Sequence, residues 1–260
     1  MNTWIITDTS YLVYRSQYGM KGNSDPLFSF LATIVSLKER FDSERFAFCF
    51  DGGKLKRNDL LPTYKERPFI TPEHEQQRRE AKSLMKRLRL EILPQLGFEN
   101  IFGQKGYEAD DVIASLVQNS LGEDEAVIVA SDEDLYQLIR PNVILYNPSK
   151  DKITNEEVFS KMYDGLEVSQ WSMVKALAGC RSDNVEGIKG VGEKTAAQYL
   201  NGRLEKYSAR WEKINNANKA NVEFNLRLVK LPFEGVKTFE LNEDEDINWR
   251  RLQTYQPKGY

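Results

Sequence analysis

Continuous apolar runs alternate with helically spaced ones along the first half of the chain. Trp4-Ile5-Ile6-Thr7, Phe46-Ala47-Phe48-Cys49-Phe50, Ala126-Val127-Ile128-Val129-Ala130 and Val143-Ile144-Leu145-Tyr146 lack the period-two alternation of a half-solvated sheet, so they predict strands buried on both faces. Between them, Leu27 to Arg40 and Val112 to Leu121 carry apolar positions at helical spacing. This order predicts an α/β fold with a mostly parallel central sheet flanked by helices. From about Asn155 the strands stop and helical patterns take over, at Glu156 to Tyr163, Val168 to Gly179, Glu193 to Leu200 and Leu204 to Leu231. Two regions are expected, 1–154 and 155–260. The tail, residues 232–260 with its acidic run Glu243-Asp244-Glu245-Asp246, is compatible with either a mobile or a docked segment.

With 260 residues, 40% hydrophobic and 29% charged, the chain can bury a full core. Its uncharged apolar runs fall far below the roughly 18 residues that span a bilayer, and the N-terminus lacks a basic region followed by an apolar one, so no membrane partner and a cytoplasmic location are expected. Two cysteines, Cys49 and Cys180, and one histidine, His74, provide neither a disulfide framework nor zinc-ligand spacing.

The net charge of −3 is unevenly spread. Residues 54–89 hold eleven Lys or Arg against five acids, a segment of +6 that leaves −9 elsewhere. A basic stretch fits a nucleic-acid footprint, but equally a solvated helical face.

The acids have a pattern of their own. Asp8 follows the first strand, Asp51 the second, and Asp132 and Asp134 the third. In an open α/β sheet the crevice outside the carboxyl ends of the strands is where ligands bind. Asp is also a common turn and cap residue, and for any one position that explanation suffices. It does not account for "GYEADDVIASLV", residues 106–117, where Glu108, Asp110 and Asp111 crowd the start of a helix whose buried stripe is Val112, Ile113, Leu116 and Val117. Two unit charges ~4 Å apart repel by roughly 4 kcal/mol at an effective dielectric near 20, so a cation is expected among them. Carboxylate clusters without His or Cys suit hard cations such as magnesium or manganese.

A second motif lies at Gly187-Ile188-Lys189-Gly190-Val191-Gly192, followed by Glu193-Lys194-Thr195. Its glycines allow a tight turn and close backbone approach, and a helix start presents free amides to a phosphate. The spacing is that of a helix-hairpin-helix, a clamp for the DNA backbone. A Rossmann loop would require a strand before it, whereas Val168 to Gly179 has helical spacing.

With these residues in view, the chain resembles the 5′ nuclease family, which comprises the flap endonucleases and the 5′-nuclease domain of bacterial DNA polymerase I. The similarity runs from Ile5 to about Leu200 and rests on "DTSYLVYRS", "FDGG", "LPTYKERP", "GYEADDVIA", "ASDEDLYQL" and "SDNVEGIKGVGEKTAAQYL" in that order. The resemblance implies a structure-specific, metal-dependent 5′-3′ exonuclease and flap endonuclease acting on DNA with a 5′ flap, a nick or an RNA primer. It also implies a helical arch over about residues 54–98 and a helix-hairpin-helix over about 172–200.

Asp8, Asp51, Glu108, Asp110, Asp111, Asp132, Asp134 and Asp183 match the family's metal-binding or metal-supporting acids, for Mg2+ or Mn2+, in two ions, and Asp111 is also expected in catalysis. Lys65 and Arg67 match its basic pair beside the reacting phosphate, with Tyr64 in stacking position. Arg15 and Arg57 match basic residues lining the active site. Gly190, Gly192, Lys194 and Thr195 are the expected DNA contacts of the hairpin, where the resemblance also admits a K+ ion. A monomer is expected, with a replicative polymerase or single-strand-binding protein as partner. In one place the motif departs from the family: Gly179-Cys180-Arg181-Ser182-Asp183-Asn184 carries Cys180 where the pattern has its first aspartate. A neutral thiol is a poor magnesium ligand. This supports a rival reading, a catalytically weakened branched-DNA-binding protein, which retention of the other acids opposes. A related metal-dependent ribonuclease, or a small-molecule phosphohydrolase, would have less use for the arch and the hairpin.

Overall fold

The computed structural model describes residues 2–18, 25–66 and 71–254. Its main sheet has the order β3-β2-β1-β4-β5-β6, with β1 (Thr3–Asp8), β2 (Arg45–Cys49), β3 (Ile101–Phe102), β4 (Glu125–Val129) and β5 (Val143–Asn147) parallel and β6 (Lys152–Thr154) antiparallel at one edge. The continuous apolar runs are explained by burial on both faces. Trp4 and Ile6 point into one apolar cluster and Ile5 into the other, as successive strand side chains must. In register, Ile6 lies beside Ala47 on β2 and Ile128 on β4.

On the Ile5 face lie α1 (Thr9–Tyr18) and α2 (Pro26–Phe41). After β2 come α3 (Leu55–Leu60), α4 (Pro72–Arg87), a π-turn (Leu88–Ile92) and α5 (Leu93–Gln95), whose buried residues Ala81, Leu84, Leu88 and Leu93 join the same cluster. On the Ile6 face lies α6 (Ala109–Asn119), with Val112, Ile113, Leu116 and Val117 buried as the helical spacing requires. The later elements are α7 (Glu156–Met162), α8 (Trp171–Ala178), the hairpin strands β7 (Gly179–Cys180) and β8 (Val185–Glu186), α9 (Glu193–Leu200), α10 (Ala209–Asn215), α11 (Lys219–Val229) and α12 (Trp249–Gln253).

The structure departs from the sequence expectation in two ways. The single helix expected over Leu204–Leu231 is two, because Asn218 caps α11 by accepting a 3.0 Å hydrogen bond from the Ala220 amide, and Asn side chains compete with helical backbone bonds. Strands do not stop at Asn155, since β7 and β8 follow; runs of two residues carry no readable period. The change at residue 154 is one of secondary structure and not a break in the core. Trp171, Leu177, Ala196 and Ile214 share one apolar cluster with Ile6 and Val112.

The tail docks. Phe239 packs edge-on against Phe102 at 5.4 Å, and Trp249 lies 5.7 Å from both Phe46 and Phe98. Glu245 Oε1 accepts from the Asn100 amide at 2.7 Å, covering the β3 edge of the sheet. No described helix is long and apolar enough to cross a membrane.

Candidate metal and nucleic-acid site

The sheet order reverses at β1, with β2 on one side and β4 on the other, and a crevice opens at the carboxyl ends of these strands. Asp8 ends β1, and its Oδ1 accepts from the Tyr11 amide at 2.9 Å to start α1. Asp51 Oδ1 accepts from Ala109 N at 3.0 Å, the first residue of α6. Asp132 Oδ1 accepts from Asp134 N at 2.8 Å. Each acid is therefore a cap, yet a cap occupies one oxygen of a carboxylate that offers about four lone-pair sites. The same acids line one cleft of ≈1480 Å³, where Asp8, Asp51, Asp110, Asp132 and Glu108 meet Lys54 and Lys65.

α4 forms the opposite wall. His74, Arg78, Lys82 and Lys86 line the cleft at four-residue steps, about 6 Å apart along a helix, and Arg89 follows from the π-turn. The cleft thus has an acidic floor and a cationic wall. Burial, and then the neighbouring Asp51, push the Asp8 carboxyl up to about 7. Burial and then Asp132 and Asp8 hold Asp110 well above the ordinary carboxylate range. Desolvated acids that repel one another bind protons when no other cation is near.

The three acids at the start of α6 do not act together. Asp111 is fully buried, and Arg57 Nη1 and Nη2 donate to its two oxygens at 2.6 and 2.8 Å. Those oxygens also accept from the Glu108 and Phe233 amides at 3.1 and 2.9 Å. Asp111, expected as a metal-binding or metal-supporting and catalytic acid, is absent from the cleft lining, and its contacts are those of a structural residue. Arg57, expected to line the active site, is buried against Asp111 and Glu108 and is not in the cleft lining. Tyr64, expected to stack on a base, is buried as well. Its hydroxyl donates to Glu108 at 2.9 Å and contacts Asp183 at 3.3 Å. Glu108 does face the cleft, paired with Lys65 Nζ at 2.5 Å. Of the three, Asp110 opens onto the cleft with no ion pair to a cation among the described residues.

Lys65 sits on strained backbone, φ +50°, in the left-handed region that a residue with a Cβ seldom occupies. The turn is held by its amide donating to Asp183 O at 3.0 Å and by Asn184 Nδ2 donating to Thr63 O and Glu66 O at 2.8 and 2.9 Å. Asn184 and Lys54, whose Nζ donates to Tyr64 O, are positioning residues that the sequence reading missed.

Asp134 and Asp183 lie in a separate group with Cys180, their ligand atoms within 4.8 Å of one another. Neither is in the cleft lining. Burial and then Asp132 raise Asp134 to about 6, and burial and then Asp183 push the Cys180 thiol up to about 11. Lys175, also missed, is buried here with Nζ 2.8 Å from Asp134 Oδ1 and 2.9 Å from Glu193 Oε1. A lysine in line with the apolar Trp171, Val174 and Leu177 of α8 was the available signal.

The glycine turn forms as expected. Val191 N donates to Ile188 O at 2.9 Å, and Gly190 has φ +84°. Gly187 packs so closely on α8 that a Cβ would meet the Ala178 carbonyl carbon at 2.1 Å. Gly192 caps α9 without a side-chain bond, and Lys194 is exposed beside Thr195. Arg15 is not in the cleft lining; its Nη2 donates to Pro148 O at 3.4 Å, and Tyr14, one position round the helix, takes the cleft side. Arg67 lies outside the described residues.

A parallel α/β sheet, an acid-lined crevice at its switch point and a cationic helix across it define a nuclease. Residues 3–163 match the family model of the 5′-3′ exonuclease, N-terminal resolvase-like domain, and the chain belongs to that family. It is 33% identical to the 5′-3′ exonuclease of Aquifex aeolicus across 96% of this chain and 88% of that one. It is 31% identical to the thermostable DNA polymerase I of Thermus thermophilus across 88% of this chain but 28% of the polymerase. The fold is also that of the bacteriophage T5 flap endonuclease in its complex with DNA and metal ions, at TM-score 0.75, 21% identity, and 89% and 90% of the two chains.

Proposed function

We propose that this chain is a divalent-metal-dependent 5′ nuclease that hydrolyses phosphodiester bonds near the 5′ end of flapped, nicked or RNA-primed DNA, with magnesium or manganese as the ion. The observation that carries the reading is the single cleft in which five carboxylates face the cations of α4. The donor set fits the ion. It is all oxygen, and burial with mutual repulsion raises the Asp8 and Asp110 carboxyls, a cost that a bound divalent ion would relieve. The T5 complex with DNA and metal ions supports both halves of the reading.

Asp8, Asp110 and Asp132 would hold the ion, with Asp51 and Glu108 supporting beside them in the cleft. A divalent ion there supplies Lewis acidity toward a phosphate and an attacking water. The chain's own residues do the rest. Lys65 holds positive charge at the floor of the cleft, where a phosphate gathering negative charge is stabilised. Arg78, Lys82, Lys86 and Arg89 hold the single strand along α4 by its phosphates. Gly190, Gly192, Lys194 and Thr195 grip the duplex backbone away from the cleft through the exposed start of α9.

Cleavage of a 5′-labelled flap and a nicked duplex, titrated with Mg2+ and Mn2+, tests the reading. Short 5′ products that require the metal and disappear in Asp110→Asn are expected. Tight flap binding without cleavage under either metal would make the chain a binding module.

A further inference from the structure

We infer that the Lys175 ammonium stands in place of a second divalent ion, so that the chain holds one such ion instead of the two expected. The inference rests on the nuclease reading, with its first ion among Asp8, Asp110 and Asp132.

Asp134, Cys180 and Asp183 have the spacing of a metal site, with ligand atoms within 4.8 Å of one another. A cation already stands among them. Lys175 Nζ lies 2.8 Å from Asp134 Oδ1, and on Asp183 the Lys65 ammonium stands 3.9 Å from Oδ1 while the Tyr64 hydroxyl reaches Oδ2 at 3.3 Å. The third donor is a sulfur, in a 3.0 Å hydrogen bond with the Ser182 hydroxyl, and hard cations prefer oxygen. A divalent ion entering here would meet an ammonium at contact distance and lose one oxygen ligand to sulfur.

Lys175 cannot readily leave. It is 6% exposed, its ammonium lies 5.8 Å from the Trp171 ring centroid, and a hydrogen bond to Glu193 Oε1 at 2.9 Å anchors it. Glu193 is the first residue of α9, so the same lysine ties Asp134 to the helix that follows the glycine turn. A tethered cation neutralises charge but cannot be chelated and coordinates no substrate oxygen.

The number of Mn2+ ions bound per chain, counted by electron paramagnetic resonance titration of the 260-residue chain, tests this without recourse to activity. One Mn2+ is expected on the wild type. A second is expected in the double variant Lys175→Met/Cys180→Asp, which removes the resident cation and supplies an oxygen donor. Two ions on the wild type would overturn the inference and leave the nuclease reading standing, whereas none would overturn both. A double variant that is folded by circular dichroism and still binds one ion would also overturn it. The wild-type count decides the matter if that variant does not fold.

Discussion

Arg57 and Asp111 are joined by two parallel hydrogen bonds of 2.6 and 2.8 Å, with the guanidinium side chain 4% exposed and the carboxylate 0%. The pair holds three parts of the chain at once. Arg57 belongs to α3, Asp111 to the first turn of α6, and Asp111 Oδ1 also accepts from Phe233 in the returning tail. Arg57 Nε donates to Leu228 O at 2.9 Å, adding the end of α11. Charges this deeply buried persist only when paired and hydrogen-bonded throughout. The crowding of acids at the start of α6 is thus relieved largely from within: Arg57 neutralises Asp111, Lys65 neutralises Glu108, and Asp110 is left for the cleft.

Breaking that pair is a folding lesion. Asp111→Asn leaves Arg57 buried and uncompensated, and is expected to cost about 3–5 kcal/mol of stability. Chemical denaturation of Asp111→Asn, Arg57→Met and the double variant measures it. A loss in the double variant smaller than the sum of the two singles is expected, and full stability in Asp111→Asn would refute the structural role.

Asp110→Asn should have the opposite profile. Removing one of several mutually repelling acids leaves metal-free stability unchanged or higher, while Mn2+ affinity and cleavage fall by more than the roughly 10–100-fold typical of residues that only support metal ligands. Thermal melts in chelator, read beside Mn2+ titration, separate the two effects. Intact metal affinity would remove Asp110 from the site.

Metal-free stability should rise as pH falls from 8 to 6. Asp8 at about 7 and Asp134 at about 6 lie above their unfolded value near 3.9. The native chain therefore binds protons that the unfolded chain releases, and stability is lost as pH rises through those values. Mg2+ displaces protons from Asp8 and its neighbours, so it should stabilise more at pH 8 than at pH 6. Melting temperatures in chelator that do not change between pH 6 and 8 would contradict this.

Lys194→Ala should weaken DNA binding equally across sequences and lower the slope of log K against log salt by about 1, the signature of one lost phosphate contact. Fluorescence anisotropy of a labelled nicked duplex at several salt concentrations gives the slope. An unchanged slope would place the DNA backbone elsewhere.

Much of this architecture is legible along the chain. Runs such as Phe46 to Phe50 read as strands buried on both faces, and acids directly after them then fall at one end of a parallel sheet. The glycine spacing from Gly187 to Gly192 specified a tight turn before a helix, because few other residues tolerate those dihedrals and close contacts. Tyr64 and Lys65 were visible as motif residues, but neighbours in sequence diverge here, one buried under the acids and the other reaching into the cleft on left-handed backbone.

The sequence by itself determined the sheet, its flanking helices and the gathering of carboxylates at its carboxyl edge, since periodicity and strand-end position are local properties. Which carboxylates remain available was decided only by the tertiary structure. Arg57 meets Asp111 across 54 residues, and Lys175 meets Asp134 from a separate helix. A period says which face a side chain is on, not which distant cation is buried against it. That pairing sets whether an acid serves the fold or is left to hold a metal ion.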